Sequence, residues 1–193
     1  MKLSDHLDTT RKQKIRNVIL DLDETLINSI VQEELNSSSK LKKFQSRSEL
    51  FTYHIMDNEY IVVERPNLQK FLNYLFKHFN VSVWTAASKS YAIFVIENVI
   101  LKKGKNRKLD YILYSEHCDL SKLRTGCIKN LNQLFHLPGY NRGNTLIIDD
   151  NLNVFSQENK VINVEPFLFF SKNSDQDDEL IQVKKFLSKL FIT

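Results

Sequence analysis

At 193 residues, with 42% apolar and 26% charged content, the chain can bury a substantial core, which excludes a disordered or fibrous protein. Lys and Arg outnumber Asp and Glu by 27 to 23, a net charge of +4 that favours a phosphorylated or polyanionic partner but falls short of a nucleic-acid binder, so no direct nucleic-acid contact is expected. The two cysteines, Cys118 and Cys127, do not make a secreted disulfide framework, residues 1–17 lack the apolar stretch of a signal peptide, and no run is long enough to span a membrane. The expectation is a soluble nuclear or cytoplasmic monomer forming one domain over residues 1–193, with a core over about 15–170 and a C-terminal helix over about 175–191.

Val18, Ile19 and Leu20 read as a first buried strand, ending abruptly in Asp21-Leu22-Asp23-Glu24-Thr25. Residues 28–50 are polar and read as an exposed excursion. Two β-rich runs around Asp57-Asn58 predict a hairpin over residues 51–63. Pro66 suits the first turn of a helix whose apolar face is Leu68, Phe71, Leu72, Leu75, Phe76 and Phe79. Residues 81–84 form the second core strand, ending at Thr85, and Ser88 caps a helix with Tyr91, Ala92, Val95, Ile96 and Val99 inside. The basic run 102–108 reads as a solvated helix end or an anion patch. Residues 111–114 form a third strand, and a polar loop containing Gly126 leads to Lys129. Residues 145–148 form a fourth strand, ending at Asp149-Asp150, and 161–164 a fifth. The last helix opens on the acids of 174–178 and carries Lys184, Lys185 and Lys189 later, as the helix dipole prefers.

Strands separated by helices predict an α/β fold with a mainly parallel sheet covered on both faces. Ligands bind such sheets at the carboxyl ends of the strands. Asp21 and Asp23, Thr85, and Asp149 with Asp150 all fall at such ends. Close carboxylates are unfavourable unless they share a cation or a proton, so the cluster calls for a metal ion and for one carboxyl that carries a proton. Each residue also has a plain reading: an acid that forms a turn, a strand-terminal threonine, a solvated lysine. A zinc set of His117, Cys118, Cys127 and His136 is disfavoured because no short Cys-x-x-Cys pairing is present.

The residues DLDETL (21–26), ERP (64–66), WTAASxxYA (84–92), IKNL (128–131) and LIIDDN (146–151) resemble, in order, the small C-terminal-domain phosphatases, the FCP/SCP-like and NLI-interacting-factor-like branch of the haloacid dehalogenase superfamily. The likeness runs over about residues 17–167 and more weakly into the last helix. It implies a three-layer Rossmann-like fold with a small β-hairpin insertion, for which residues 51–63 are placed. It also implies a Mg²⁺-dependent protein serine/threonine phosphatase acting through an aspartyl-phosphate on phosphoserine or phosphothreonine peptides like the RNA polymerase II tail.

By that resemblance Asp21 is the nucleophile and Asp23 the general acid and base. Thr85 and Lys129 bind the phosphoryl group, and Asp149 holds Lys129. The metal ligands are the Asp21 carboxylate, the Asp23 main-chain carbonyl and the Asp150 side chain. Phe51, Tyr53, Ile55 and Tyr91 would line a docking pocket for the peptide. Ile93 after Tyr91-Ala92, and Ser115 ahead of Glu116-His117-Cys118, depart from the family pattern at positions that bear on peptide docking. Two other readings stay open: a superfamily phosphatase acting on a nucleic-acid end or a small metabolite, and a catalytically inactive phosphopeptide-binding module of the import-receptor type.

Overall fold

The computed structural model describes residues 14–104, 106–154 and 160–191. Its centre is a parallel five-stranded sheet built from β1 (Asn17–Leu20), β5 (Asn80–Trp84), β6 (Leu109–Leu113), β7 (Thr145–Asp149) and β8 (Val161–Asn163), in the order β6-β5-β1-β7-β8. A second, antiparallel sheet in the order β2-β4-β3 joins β2 (Ile27–Val31), β3 (Tyr53–Met56) and β4 (Tyr60–Glu64).

The central strands alternate sides, and both sides are dry. Val18 and Leu20 of β1, Val81 and Val83 of β5, and Leu146 and Ile148 of β7 pack into one core. The same core takes Phe71, Leu72 and Leu75 of α2 (Leu68–His78), Tyr91, Ala92 and Val95 of α3 (Lys89–Val95), and Leu180, Val183 and Leu187 of α5 (Glu179–Phe191). Ile19, Trp84 and Ile147 face the other way and meet Cys118 of α4 (Ser115–Thr125), Leu131, Leu134 and Tyr140. This is the three-layer arrangement expected of strands that read as continuous apolar runs. A third core of Ile30, Leu35, Phe44, Ile61, Val63, Phe167 and Phe169 lies under the insertion sheet.

The strands, α2 and α3 stand where their patterns put them. Ser88 caps α3 by accepting from the Tyr91 N–H at 3.4 Å. The hairpin closes through Asp57 (φ 46°), in the left-handed region that Asp tolerates better than most residues.

Three segments differ from expectation. Residues 28–50 are largely exposed, as expected, but they are not irregular: they contain most of β2 and all of α1 (Ser38–Ser48). In β2 only Ile27 and Ile30 are buried, while the polar Asn28 and Ser29 are spent on hydrogen bonds, so no apolar run marks the strand. In α1 only Phe44 is buried, too little to make a stripe. Residues 115–125 form α4 rather than a polar loop; its buried residues are Cys118 and Ser121, and Gly126 (φ 76°) ends it in the left-handed conformation that glycine adopts freely. The acids at 174–178 precede the last helix, which begins at Glu179.

Candidate active site

Strand order decides what can meet. β1 lies between β5 and β7, so the three strand ends carrying Asp21, Thr85 and Asp149-Asp150 are immediate neighbours, each about 5 Å from the next. The register aligns them, since Leu20 pairs with both Val83 and Ile148, and the Asp21 N–H donates to the Ile148 carbonyl at 3.0 Å. Asp21, Thr85 and Asp150, together with Asp23, Lys129 and Asn151, line one cleft of about 300 Å³, completed by Glu24, Ala86, Ala87 and Ile128, while Asp149 lies buried behind it.

Lys129 is the electrostatic centre. It is 2% exposed and donates to Asp21 Oδ1 at 2.5 Å and to Asp149 Oδ2 at 2.7 Å. Burial by itself would lower its pKa, but the two carboxylates outweigh burial and hold the ammonium protonated, above the ordinary lysine range. Asp149 is fully buried, and its second oxygen accepts from the Asn151 N–H at 2.9 Å, so both oxygens are engaged. Burial drives the Asp149 carboxyl upward, the charge of Asp21 adds to that, and the Lys129 ammonium opposes both.

Among the described residues, Asp21, Asp149 and Asp150 form a group of carboxylates able to hold a metal ion, with ligand oxygens within 4.8 Å of one another. Asp149 has both oxygens taken, by Lys129 and the Asn151 N–H, and is fully buried, whereas Lys129 takes only Oδ1 of Asp21, so Asp21 and Asp150, which both line the cleft, are the pair that could hold a cation there. Thr25 bridges that pair. Its hydroxyl lies 3.0 Å from Asp150 Oδ1 and 3.4 Å from Asp21 Oδ2, and it accepts from the Asp150 N–H at 3.1 Å. Thr25 thus ties the turn after Asp23 to the end of β7. An all-oxygen carboxylate set of this kind suits a hard divalent ion. Burial and the nearby Asp21 charge raise the Asp150 carboxyl, a cost that a bound cation would relieve.

Asp23 stands in different surroundings. Its Oδ1 accepts from the Tyr91 hydroxyl at 2.5 Å. Burial pushes its pKa up to about 6; the Tyr91 hydrogen bond opposes this, and the charge of Asp21 reinforces it. Two carboxyls two residues apart are therefore separated in role by environment, one ion-paired to Lys129 and one able to hold a proton near neutrality. Thr85 is 1% exposed; its Oγ accepts from the Ala87 N–H at 3.0 Å, which leaves its one proton as the group to offer an anion in the cleft.

The turn after Asp23 is held from outside the motif. Glu24 takes a left-handed φ of 59°, and its carbonyl accepts from the Phe167 N–H at 2.6 Å. Arg65, 1% exposed, grips both oxygens of Asp177 at 2.8 Å and donates to the Thr25 and Glu165 carbonyls at 3.0 and 2.8 Å. It is a structural clamp on the turn that follows the motif acids.

The four residues expected to form the peptide pocket are not brought together at the cleft. Phe51 packs against Phe167 and Phe169, in the core under the insertion sheet. Tyr91 is 7% exposed and its hydroxyl donates to Asp23. Tyr53 and Ile55 are exposed on β3. Sequence reasoning missed Ser29, whose Oγ is hydrogen-bonded to the Tyr91 hydroxyl, because a serine in a polar stretch carries no signal. In the basic run, Lys103 is paired with Glu64 at 3.0 Å and Arg107 is bonded to Gln69, Asn73 and the Ile100 carbonyl, while Lys105 lies outside the described residues. Of the disfavoured zinc set, the His117 ring accepts from the Tyr114 N–H, and Cys118 and Cys127 donate to the Thr85 and Asn153 carbonyls. No helix among the described residues is long and apolar enough to cross a membrane.

With this geometry in place, the likeness to known proteins can be weighed. The model of the NLI interacting factor-like phosphatase family matches residues 16–191. The chain is 40% identical over 182 residues to the CTD phosphatase-like protein 355R of Invertebrate iridescent virus 6, covering 91% of this chain and 98% of that one. It is 38% identical over 181 residues to its namesake in Invertebrate iridescent virus 3, covering 90% and 96%. The solved structure of Fcp1, an essential RNA polymerase II CTD phosphatase, superposes with a TM-score of 0.57 at 21% identity, over 92% of this chain and 52% of that chain. That likeness establishes the fold, and this chain spans about half the length of Fcp1. The match over nearly the whole sequence, joined to a rim of acids, threonine and lysine on a five-stranded parallel sheet, places the chain in the NLI interacting factor-like phosphatase family, within the haloacid dehalogenase superfamily.

Proposed function

We propose that the chain is a Mg²⁺-dependent protein serine/threonine phosphatase that works through an aspartyl-phosphate on phosphorylated peptides resembling the RNA polymerase II tail. The observation that carries this reading is the contrast between the two motif aspartates: Asp21 bound to a buried ammonium, Asp23 raised to about 6 beside it.

Asp21 attacks phosphorus, and the phosphorus–ester oxygen bond breaks with its electron pair staying on the ester oxygen. Asp23 delivers its proton to that oxygen, releasing the serine or threonine hydroxyl. In the second half, Asp23 takes a proton from the water that attacks the aspartyl-phosphate, the bond between phosphorus and the Asp21 oxygen breaks, and inorganic phosphate leaves. Lys129 and the Thr85 hydroxyl sit where they can stabilise charge on the phosphoryl oxygens through both displacements. Asp149 keeps Lys129 in place. Asp21 and Asp150, with the Asp23 main-chain carbonyl, would hold Mg²⁺, which when bound supplies charge neutralisation at the phosphoryl group.

The peptide substrate is supported by the names of the viral relatives and of Fcp1. A panel of phosphopeptides, with nucleotides and sugar phosphates as controls, tests it in the presence and absence of EDTA. Preferential, EDTA-sensitive cleavage of tail-like phosphopeptides is expected. Preferential cleavage of nucleotide or sugar phosphates would replace the substrate class, and no cleavage at all would favour the binding-module reading.

A further inference from the structure

Asp23 is tied by a chain of hydroxyls to an element outside the central sheet. The Tyr91 hydroxyl donates to Asp23 Oδ1 at 2.5 Å and is itself hydrogen-bonded to Ser29 Oγ. Tyr91 belongs to the first turn of α3, just after the β5 end that carries Thr85, whereas Ser29 lies in β2 of the insertion sheet. The Tyr91 ring is held too: it meets Tyr60 of β4 edge-on, with centroids 5.4 Å apart. A phenol titrates at about 10 in water, so near neutral pH it carries its proton. A phenol has one proton to give. Since Tyr91 gives it to Asp23, Ser29 is the donor where the two hydroxyls meet, and the Ser29 hydroxyl also lies within reach of the Asp23 carboxyl, so both hydroxyls converge on the acid.

We infer that Tyr91, oriented by Ser29, is a positioning residue for the acid step, a role that rests on the phosphatase reading above. A neutral carboxyl has one oxygen that accepts and one that carries the proton. A donor pinned on Oδ1 makes Oδ1 the accepting oxygen and assigns the transferable proton to Oδ2. That proton passes to the ester oxygen as the phosphorus–oxygen bond breaks, and the Tyr91 proton stays on Tyr91. The insertion sheet thus does more than flank the cleft: through Ser29 and Tyr60 it sets the acid's orientation, and small errors in such orientation are costly in rate.

The test is kcat/KM for two esters, a phosphoserine peptide and p-nitrophenyl phosphate, in the wild type, Tyr91→Phe, Ser29→Ala and Ser29→Thr. The alkyl leaving group needs the proton; the aryl one needs it far less. Tyr91→Phe keeps the ring against Tyr60 and is expected to lower the peptide value about 10–100-fold, with the peptide-to-aryl ratio falling at least about tenfold. Ser29→Ala should fall between this variant and the wild type, and Ser29→Thr should restore the ratio. Equal losses on both esters, or none on the peptide, would overturn the assignment by reducing Tyr91 to a packing residue. A crystal structure of Tyr91→Phe supplies a second readout: the Asp23 carboxyl is expected to leave its place, and an unmoved carboxyl would overturn the positioning role. Were the wild type to cleave neither ester, the phosphatase reading itself would fall, while the Asp23 position in Tyr91→Phe would still decide whether Tyr91 holds it.

Discussion

The central sheet and the insertion sheet solve different packing problems, and the candidate chemistry follows that division. β1, β5 and β7 are buried on both faces beyond their first residues and, apart from Ser82, which is hydrogen-bonded to Tyr140, their inner positions are apolar, so the acids and threonine that follow stand at the mouth of the sheet. β2 buries only Ile27 and Ile30 and leaves its other residues half-buried, and β3 leaves Tyr53 and Ile55 exposed on one face. In the central sheet a polar residue is costly unless matched, which is why Asp21, Lys129 and Asp149 come as a bonded set. In the insertion a polar residue costs little, so Ser29 can reach Asp23 through Tyr91 without announcing itself in the pattern.

That contrast can be broken at its strongest point first. Asp21→Asn removes the proposed nucleophile and should lower turnover by roughly 10³-fold or more with circular dichroism unchanged; substantial residual hydrolysis would remove Asp21 from that role. Lys129→Met should cost about 3–5 kcal/mol of stability in urea melts as well as activity, because Asp21 and Asp149 lose the cation that compensates their burial. A loss below about 1 kcal/mol would show that the rim is not held by charge pairing.

Asp23→Asn should slow phosphorylation roughly 10²–10⁴-fold. It should also change how stability depends on pH. A folded pKa of about 6, above the unfolded value of 3.8, means that the folded state binds the extra proton between these limits. The stability linked to Asp23 is therefore fully present below about pH 4 and lost as pH rises through about 6. Between pH 4 and 7 the wild type should lose about 2–3 kcal/mol relative to Asp23→Asn, a difference that chemical denaturation at the two pH values measures. Parallel pH curves for the two proteins would contradict the buried, proton-holding acid. The smallest effect belongs to the insertion: Ile55→Ser, on the exposed face of β3, should change stability by under about 0.5 kcal/mol. A larger loss would mean that this face is packed as the central strands are.

The same division explains how far the sequence could be read. The apolar runs at 18–20, 81–84 and 145–148 end in Asp21, Thr85 and Asp149-Asp150, so strand ends, sheet type and the acidic rim were visible without coordinates. Lys129 was placed there only by the resemblance of its surrounding residues, since it follows α4, a helix with almost no apolar face. β2 and α1 were invisible because one or two buried residues make no period. The helix position of Tyr91 marked its ring as inward, as the structure has it, but nothing in the sequence says that its hydroxyl reaches Asp23.

One experiment bears most directly on whether Asp21 carries the phosphoryl group. Wild type and Asp23→Asn are mixed with a phosphoserine peptide and Mg²⁺, quenched in acid within the first turnover, and mapped by mass spectrometry of their peptides. A phosphoryl group on the peptide containing Asp21, absent when Mg²⁺ is chelated, is the predicted result. Phosphate release with the label on another residue, or with no protein-bound phosphoryl group at any time, would contradict the covalent role of Asp21.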